Sequence, residues 1–578
     1  MRDSRLSLFK ENRKLISVFA LVVCCIAALI FLYFFPYIDD LSSGKDEFIY
    51  VTVSDFGRAR GGFNIFPYHD EKTDALYFFL PGEEKKSHYK INLVGAKSVK
   101  INDDVYSYGN ELDNNLILNY EDIAGANAKG KELSGNQYSI TMKDRSVKSG
   151  EIYFLCAGNV DTLYVVSGQN EIDRINEDPS HKLSDGADLT VYGSNNAKKL
   201  TSRIEISGHG NSTWSELMTE FPGEDFKRSY NISFGEKKSI LGMSASSSYV
   251  LTSNYYDESE IKNFIALETA RRLDMKNVPE CEYANLYVNG QYRGLYLVIQ
   301  KIKEGNGFLN LESGGYLAKF DYEERVKTED NVWVEANNKY AKVLFPKKDD
   351  PRIKDEITRD IERIDACIKD KSDELTDLVD MESFVQYYLI QEFFENGDAD
   401  RASQYFYKDG KNGKVTAGPI WDIDLSMGHP WFSYDDSEKD AMWIKGLVDE
   451  DGWLRELSDN DAFMGETYTY YKNSFSDAVG YAADKKLLEV ADKIGSSWYM
   501  DMLRYRNCTD YYDKFDYSGH GTMQYDQSAI VGDVREWILD RKLFLDDYVT
   551  SPESYEEERH EPGENTRSIR ELIILKKK

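Results

Sequence analysis

The sequence predicts an α+β protein on three observations. Residues 48–167 and 186–321 hold short runs rich in Val, Ile, Tyr, Phe and Thr, separated by Asn- and Gly-bearing turns, as antiparallel strands are. Residues 351–370, 381–394 and most of 437–550 instead repeat apolar residues at three- and four-residue steps, as helices with a buried face do. One segment fits neither pattern: Leu15 to Pro36, 22 residues without a charge.

That segment comes first in the chain. At about 1.5 Å per residue it is long enough to cross a hydrocarbon core of roughly 30 Å. Arg2, Arg5, Lys10, Arg13 and Lys14 precede it, and Asp39, Asp40, Asp46 and Glu47 follow. The positive-inside rule then predicts a single-pass membrane protein with residues 1–14 as a cytoplasmic tail, 15–36 as the anchor and the main domains extracellular. A cleaved signal peptide is the competing reading. The apolar run is longer than such peptides use, and no small-x-small site follows it directly.

A polar linker, 37–47, leads into alternating segments such as Phe48-Ile49-Tyr50-Val51-Thr52-Val53 and Tyr89-Lys90-Ile91-Asn92-Leu93. Their spacing predicts a small antiparallel β-sandwich-like module over 48–167. It carries no evident chemistry and reads as a spacer or adhesion module. A larger mixed domain follows over 168–550. The tail, 551–578, is acidic and then basic, the composition of a disordered segment.

Charge and cysteine content narrow the partners. The 578 residues suit two to four domains. A net charge of −30 excludes nucleic acid as a partner, because its phosphates would be repelled. Aromatic residues reach 13%, with 41 Tyr, a compositional argument for a β-rich surface protein. Outside the apolar segment, Cys156, Cys281, Cys367 and Cys508 are widely spaced, which gives neither a zinc pattern nor a disulfide framework. Buried thiols are the simpler reading, with one bridge as the alternative.

The residues near 400 carry the chemistry. Met381, Phe384, Val385, Tyr388, Leu389 and Phe393 line one face of a helix, and Asn396-Gly397-Asp398-Ala399-Asp400 follows it. Ser403 to Lys408 and Lys414 to Ile420 then form a hairpin about the turn 409–413, ending in Trp421-Asp422-Ile423-Asp424. Helix, loop carboxylates, hairpin and strand-end carboxylates occur in the order in which protein kinases place their catalytic-loop Asp and their magnesium-holding Asp. Magnesium needs only one or two carboxylates plus phosphate oxygens, so two Asp-bearing loops suffice. In a chain with 101 Asp and Glu, solvated loop carboxylates are the plain alternative. Upstream, Leu286 to Gln300 reads as a hairpin with Asn289-Gly290 at its turn. Gly290 and Gly294 are candidates for a turn covering nucleotide phosphates, against an ordinary hairpin. Lys319, on the strand Gly314 to Phe320, is the candidate phosphate-pairing lysine and Lys301 the runner-up. An ordinary strand-end lysine is the alternative for both.

An ordered series of motifs over roughly 168–550 resembles the spore-coat protein H kinase-like (CotH) family. Gly208-His209-Gly210-Asn211-Ser212 is similar to its Arg-Gly-Asn-Ser signature, with His209 where arginine is usual. Lys227-Arg228-Ser229-Tyr230-Asn231-Ile232 resembles the basic strand that follows. Asp257-Glu258-Ser259 through Lys262-Asn263 resembles its Asp-x-Ser…Arg-Asn helix start, with Lys262 for Arg. Asn289-Gly290-Gln291-Tyr292-Arg293-Gly294-Leu295-Tyr296 matches its Asn-Gly-x-Tyr-x-Gly-x-Tyr hairpin, and Asn396-x-Asp398 and Trp421-Asp422-x-Asp424 complete the set. Val534 to Arg541 resembles its C-terminal helix, in which an arginine packs back on the core.

The resemblance implies an atypical protein-kinase-like domain over 168–550 that uses ATP with Mg²⁺ or Mn²⁺. The family's catalytic Asp maps onto Asp398, with Asp400 close enough to compete. Asp422 is the implied metal ligand, and Asp424 is either a second ligand or a turn cap. Trp421 either packs beneath the site or meets the adenine. Two departures stand against activity: His209 replaces an arginine, and Ser403 occupies a position where the family carries Asn, so that Ser403 or Gln404 must substitute. The leading expectation is a membrane-anchored, outward-facing kinase phosphorylating hydroxyls of surface or coat proteins. The alternative is a catalytically inactive kinase-like platform for surface or coat assembly. A carbohydrate-binding surface protein is the third reading, motivated by the aromatic content.

Overall fold

The computed structural model describes residues 48–55, 62–71, 73–83, 87–118, 134–168, 171–177, 186–210, 226–328, 331–399, 402–428, 440–447, 452–505 and 526–552. The expected cytoplasmic tail, membrane anchor, C-terminal tail beyond residue 552, Asp400 and Cys508 lie outside the described residues. Among the described residues no helix is long and apolar enough to cross a membrane.

The N-terminal part forms two sheets. Strands Phe63–Ile65, Ile49–Asp55, Ser87–Leu93 and Asn110–Glu111 make the smaller one. The larger centres on Ala75–Leu80 and Val147–Cys156. Those two pair in parallel, from Ala75 opposite Glu151 to Leu80 opposite Cys156, whereas the expected module was antiparallel throughout. Alternation explains strands with one wet face, such as Asn136–Met142. Ala75–Leu80 is buried at every position, because it is covered on both faces.

Seven strands then close a barrel in the order Asp161–Val166, Ala187–Tyr192, Lys198–His209, Ser229–Lys238, Ser246–Thr252, Gln291–Gln300 and Cys281–Val288. Closure is made by Asp161–Val166, which pairs in parallel with Cys281–Val288 although it precedes the expected boundary at 168. Leu163, Val165, Leu189, Ile204, Ile206, Ile232 and Val298 fill the interior.

A five-stranded sheet follows, ordered Trp333–Ala336, Lys339–Phe345, Tyr316–Phe320, Gln404–Lys408, Val415–Ala417. Helices Pro351–Lys369 and Met381–Phe393 pack with it, and helices Leu487–Arg504 and Gln527–Tyr548 come last among the described elements. Asp350 caps the first of these by accepting from Arg352 N–H at 3.0 Å, with Pro351 at the first helical position. Met381–Phe393 is buried on all sides from Ser383 to Phe393, so it is a central helix rather than an amphipathic one. Its end delivers the Asn396–Asp398 loop. Cys156, Cys281 and Cys367 are free thiols.

Candidate active site

Three loops meet in this region: the end of helix Met381–Phe393, the segment after the strand Val415–Ala417, and the turn after the strand Tyr316–Phe320. Asn396 fixes the first two against each other. Its Nδ2 donates to Gln391 Oε1 at 2.8 Å and to the Asp422 carbonyl at 3.3 Å, while its Oδ1 accepts from Asp398 N–H at 3.3 Å. Asp422 sits in the left-handed region at φ +66°, as does Ser403 at φ +56°. The Ser403 hydroxyl donates to Asp422 Oδ2 at 2.8 Å, so Ser403 reaches the carboxylate expected as the metal ligand. Gln404 turns away and donates to the Ala399 carbonyl.

Asp398, Asp422 and Asp424 interact as like charges. Burial, then the charge of Asp422, raises the Asp398 carboxyl above the usual carboxylate range, while the Tyr322 hydroxyl and Arg325 pull it back. Tyr322 Oη donates to Asp398 Oδ1 at 2.9 Å. Asp424 is pushed up to about 8 by burial first and Asp422 second, with Asp257 and Asp398 adding to it. A cation bound among such carboxylates would reverse that repulsion. Among the described residues no cluster of three or more His, Cys, Asp or Glu has a metal-holding arrangement. Asp422 and Asp424 are the carboxylates here that could hold a cation, and magnesium needs only one or two.

The two lysine candidates converge on one residue. His209 is pushed down to about 3 by burial first, then by the charges of Lys301 and Lys319, against a hydrogen bond with Asn231, so the neutral imidazole is favoured. Its ring meets Trp421 edge-on, with centroids 5.9 Å apart. Lys301 Nζ donates to Asn231 Oδ1 at 2.7 Å, and Asn231 Nδ2 donates to the Gly208 carbonyl at 2.7 Å. Lys319 pairs with Asp321 at 2.8 Å, and Arg325 takes the other oxygen of that carboxylate at 2.6 Å. Burial works against ionisation of Asp321, but Lys319 and Arg325 outweigh it and hold its carboxyl below the usual range. Both lysines thus act on the charge of His209, the residue whose ring meets Trp421.

Gly290 and Gly294 do not cover this site. Gly290 is buried: a Cβ there would meet Asn64 O and the Phe66 ring at 2.7 Å, and the Gly290 carbonyl accepts from Phe66 N–H at 2.9 Å. A Cβ at Gly294 would meet Asp501 Oδ1 at 2.5 Å. A phosphate-binding turn must leave its N–H groups open to the ligand. Here the hairpin is packed against the N-terminal sheets and helix Leu487–Arg504, so its glycines serve close packing. Asp321, Tyr322 and Arg325 were missed in the sequence. Their only signal was a charged run directly after the Lys319 strand.

Fold and site together describe an α+β, kinase-like protein. Residues 206–545 match the CotH kinase protein family, and the chain belongs to that family. One similar solved structure is a Helicobacter pylori proinflammatory kinase, CtkA. It is 10% identical, with 66% of this chain and 97% of that chain covered and a TM-score of 0.23. No curated protein matches the chain.

Proposed function

We propose that this chain is an atypical protein kinase that transfers the γ-phosphoryl group of ATP to hydroxyls of surface or coat proteins, from a domain held outside the cell by its N-terminal anchor. One observation carries the reading: Asp398 and Asp422, on separate loops, lie within charge range of each other, and the turn after the Lys319 strand supplies the Tyr322 hydroxyl to Asp398. Asp398 orients the acceptor hydroxyl and takes its proton. Tyr322 and Asn396 hold Asp398 in place, and Lys319 with Lys301 faces the phosphate chain. Asp422, steadied by Ser403, is the metal ligand. Bound Mg²⁺ or Mn²⁺ would offset charge on the transferring phosphates.

The raised Asp398 carboxyl suits proton acceptance better than an ordinary aspartate would. A catalytically inactive platform remains the competing reading, favoured by His209 in place of arginine. The deciding experiment is a thermal shift with ATP, with and without Mg²⁺, on the wild-type chain and Asp422→Asn. A metal-dependent shift that disappears in the variant is expected. No shift in the wild type would defeat the proposal. The orientation is tested by adding protease to intact cells, which should digest residues beyond 36 and spare the first 14.

A further inference from the structure

The turn after the strand Tyr316–Phe320 sets a hydroxyl on the carboxylate of Asp398. Asp321 fixes that turn. Its Oδ1 accepts from Tyr322 N–H at 3.0 Å, and its carboxylate pairs with Lys319 at 2.8 Å and Arg325 at 2.6 Å. The Tyr322 carbonyl accepts from Arg325 N–H at 3.1 Å, which opens the short helix Glu323–Thr328. Held in this way, the half-buried Tyr322 side chain extends to the half-buried Asp398, and its Oη donates to Asp398 Oδ1 at 2.9 Å.

A general base must stand within about 2.6–3.2 Å of the hydroxyl whose proton it takes. Tyr322 Oη meets that condition as the chain stands. It has the relation to Asp398 that the kinase reading requires of an acceptor hydroxyl. Ser403 does not, because its hydroxyl donates to Asp422, the expected metal ligand. The two carboxylate loops are fixed to each other, since Asn396 accepts from Asp398 N–H and donates to the Asp422 carbonyl. A hydroxyl held on Asp398 is therefore held at a set place relative to the metal-side loop as well.

We propose, resting on the kinase reading of Asp398, that Tyr322 is itself an acceptor and that the chain phosphorylates it in cis. Tyr322 Oη forms a bond to the γ-phosphorus of ATP as the bond from that phosphorus to the β–γ bridging oxygen breaks. ADP leaves with the bonding pair, and the phenolic proton passes to Asp398. The phosphotyrosine carries a charge of about −1.5 to −2 at pH 7, and its ester oxygen has no proton to donate, so the bond to Asp398 gives way to repulsion. The Arg325 guanidinium, 5.5 Å from the centroid of the Tyr322 ring, is placed to pair with the new phosphate. The step ends itself: Tyr322 accepts once and leaves Asp398.

The test maps phosphate on the full chain after incubation with ATP and Mg²⁺. Trypsin cuts after Lys319 and Arg325, and the peptide 320–325, Phe-Asp-Tyr-Glu-Glu-Arg, holds one hydroxyl, so mass spectrometry of that peptide reads Tyr322 alone. The wild-type chain is expected to gain phosphate on this peptide, with a first-order rate constant that is the same at low and high chain concentration. Asp398→Asn should slow the gain by at least about 10²-fold, the lower end for a positioned general base. Tyr322→Ser, whose hydroxyl is too short to reach Asp398, should leave the peptide unmodified. Phosphate elsewhere on the wild-type chain with none on 320–325, or a rate constant that rises with chain concentration, would overturn the inference and leave the kinase reading standing. A wild type whose melting temperature moves with ATP and Mg²⁺, but whose peptide stays bare, overturns it equally. Should Asp398→Asn fail to fold by circular dichroism, the wild-type peptide and its concentration dependence decide alone. A wild type with no such thermal shift defeats the kinase reading itself, and this inference with it.

Discussion

Asp398 is held between opposing influences: burial and Asp422 favour its protonated form, and the Tyr322 hydroxyl favours the carboxylate. Asp398→Ala should lower phosphoryl transfer by about 10²–10⁴-fold, the scale of a positioned general base, with ATP affinity nearly unchanged. Tyr322→Phe removes a bond made to the ionised form. The acid limb of its pH–rate profile should therefore move to higher pH, measured as kcat in single-turnover assays. An unmoved limb would detach Tyr322 from catalysis. His209 has the opposite sign and a stability readout. Its folded pKa, about 3, lies below the ordinary 6.5, so the unfolded chain binds more protons between those values. Its contribution is intact above about pH 6.5 and is lost as the pH falls towards 3. His209→Gln should flatten the loss of Tm on that side, and an unchanged pH profile would exclude the imidazole as its source. The places of Asp398 after a helix, of Asp422 and Asp424 after a strand and of Lys319 on a strand were legible in the sequence, because local pattern sets each of them. That Lys301 joins Lys319 was not legible, since barrel closure and the neighbouring sheet bring residues 209, 301 and 319 together from three separate strands or strand ends.

At the scale of elements, periodicity predicted the helices that matter, and local glycine chemistry misled. Helix Met381–Phe393 was expected from one apolar face. The burial of its polar face does not follow from periodicity: it depends on a helix nearly 150 residues later, whose core-packing arginine only the family resemblance implied. Arg541 of Gln527–Tyr548 is fully buried and pairs with Glu392 at 2.7 Å and Glu395 at 3.2 Å. Glu392 also accepts from Trp443 N–H at 2.7 Å and Ile444 N–H at 2.8 Å, and the Trp443 indole donates to the Asn396 carbonyl at 3.0 Å. The C-terminal helix is thereby coupled to the loop carrying Asp398. Arg541→Met leaves two buried carboxylates without their cation, a loss of about 3–5 kcal/mol. Urea denaturation should show it, and a change below about 1 kcal/mol would mean that the pair is solvated. Arg535 on the same helix instead meets Asp484 at the surface, which no pattern in the sequence distinguished from Arg541.

At the scale of the molecule, the N-terminal sheets are part of the same core as the kinase-like region, which the expectation of a spacer did not anticipate. Sequence patterns report which residues are apolar, and a strand buried against another module looks the same as one buried in its own. Tyr287 Oη donates to the Phe79 carbonyl at 3.0 Å, Asn196 Nδ2 to the Pro81 carbonyl at 2.8 Å and Ser497 Oγ to the Ala157 carbonyl at 2.9 Å. Phe79 meets Tyr292 at 4.8 Å between ring centroids, and Phe63 meets Tyr192 at 4.4 Å. Buried aromatic pairs of this kind each contribute about 0.5–1.5 kcal/mol beyond their area. Removing residues before 158 would expose Tyr287, Tyr292 and the Gly290 turn together, a contiguous apolar surface prone to association. The two regions should therefore unfold as one unit. Calorimetry of the chain from residue 48 should give a single transition with equal calorimetric and van't Hoff enthalpies. A fragment starting at 158 should aggregate or melt well below it. Two separate transitions, or a fragment as stable as the longer chain, would restore the picture of an independent spacer.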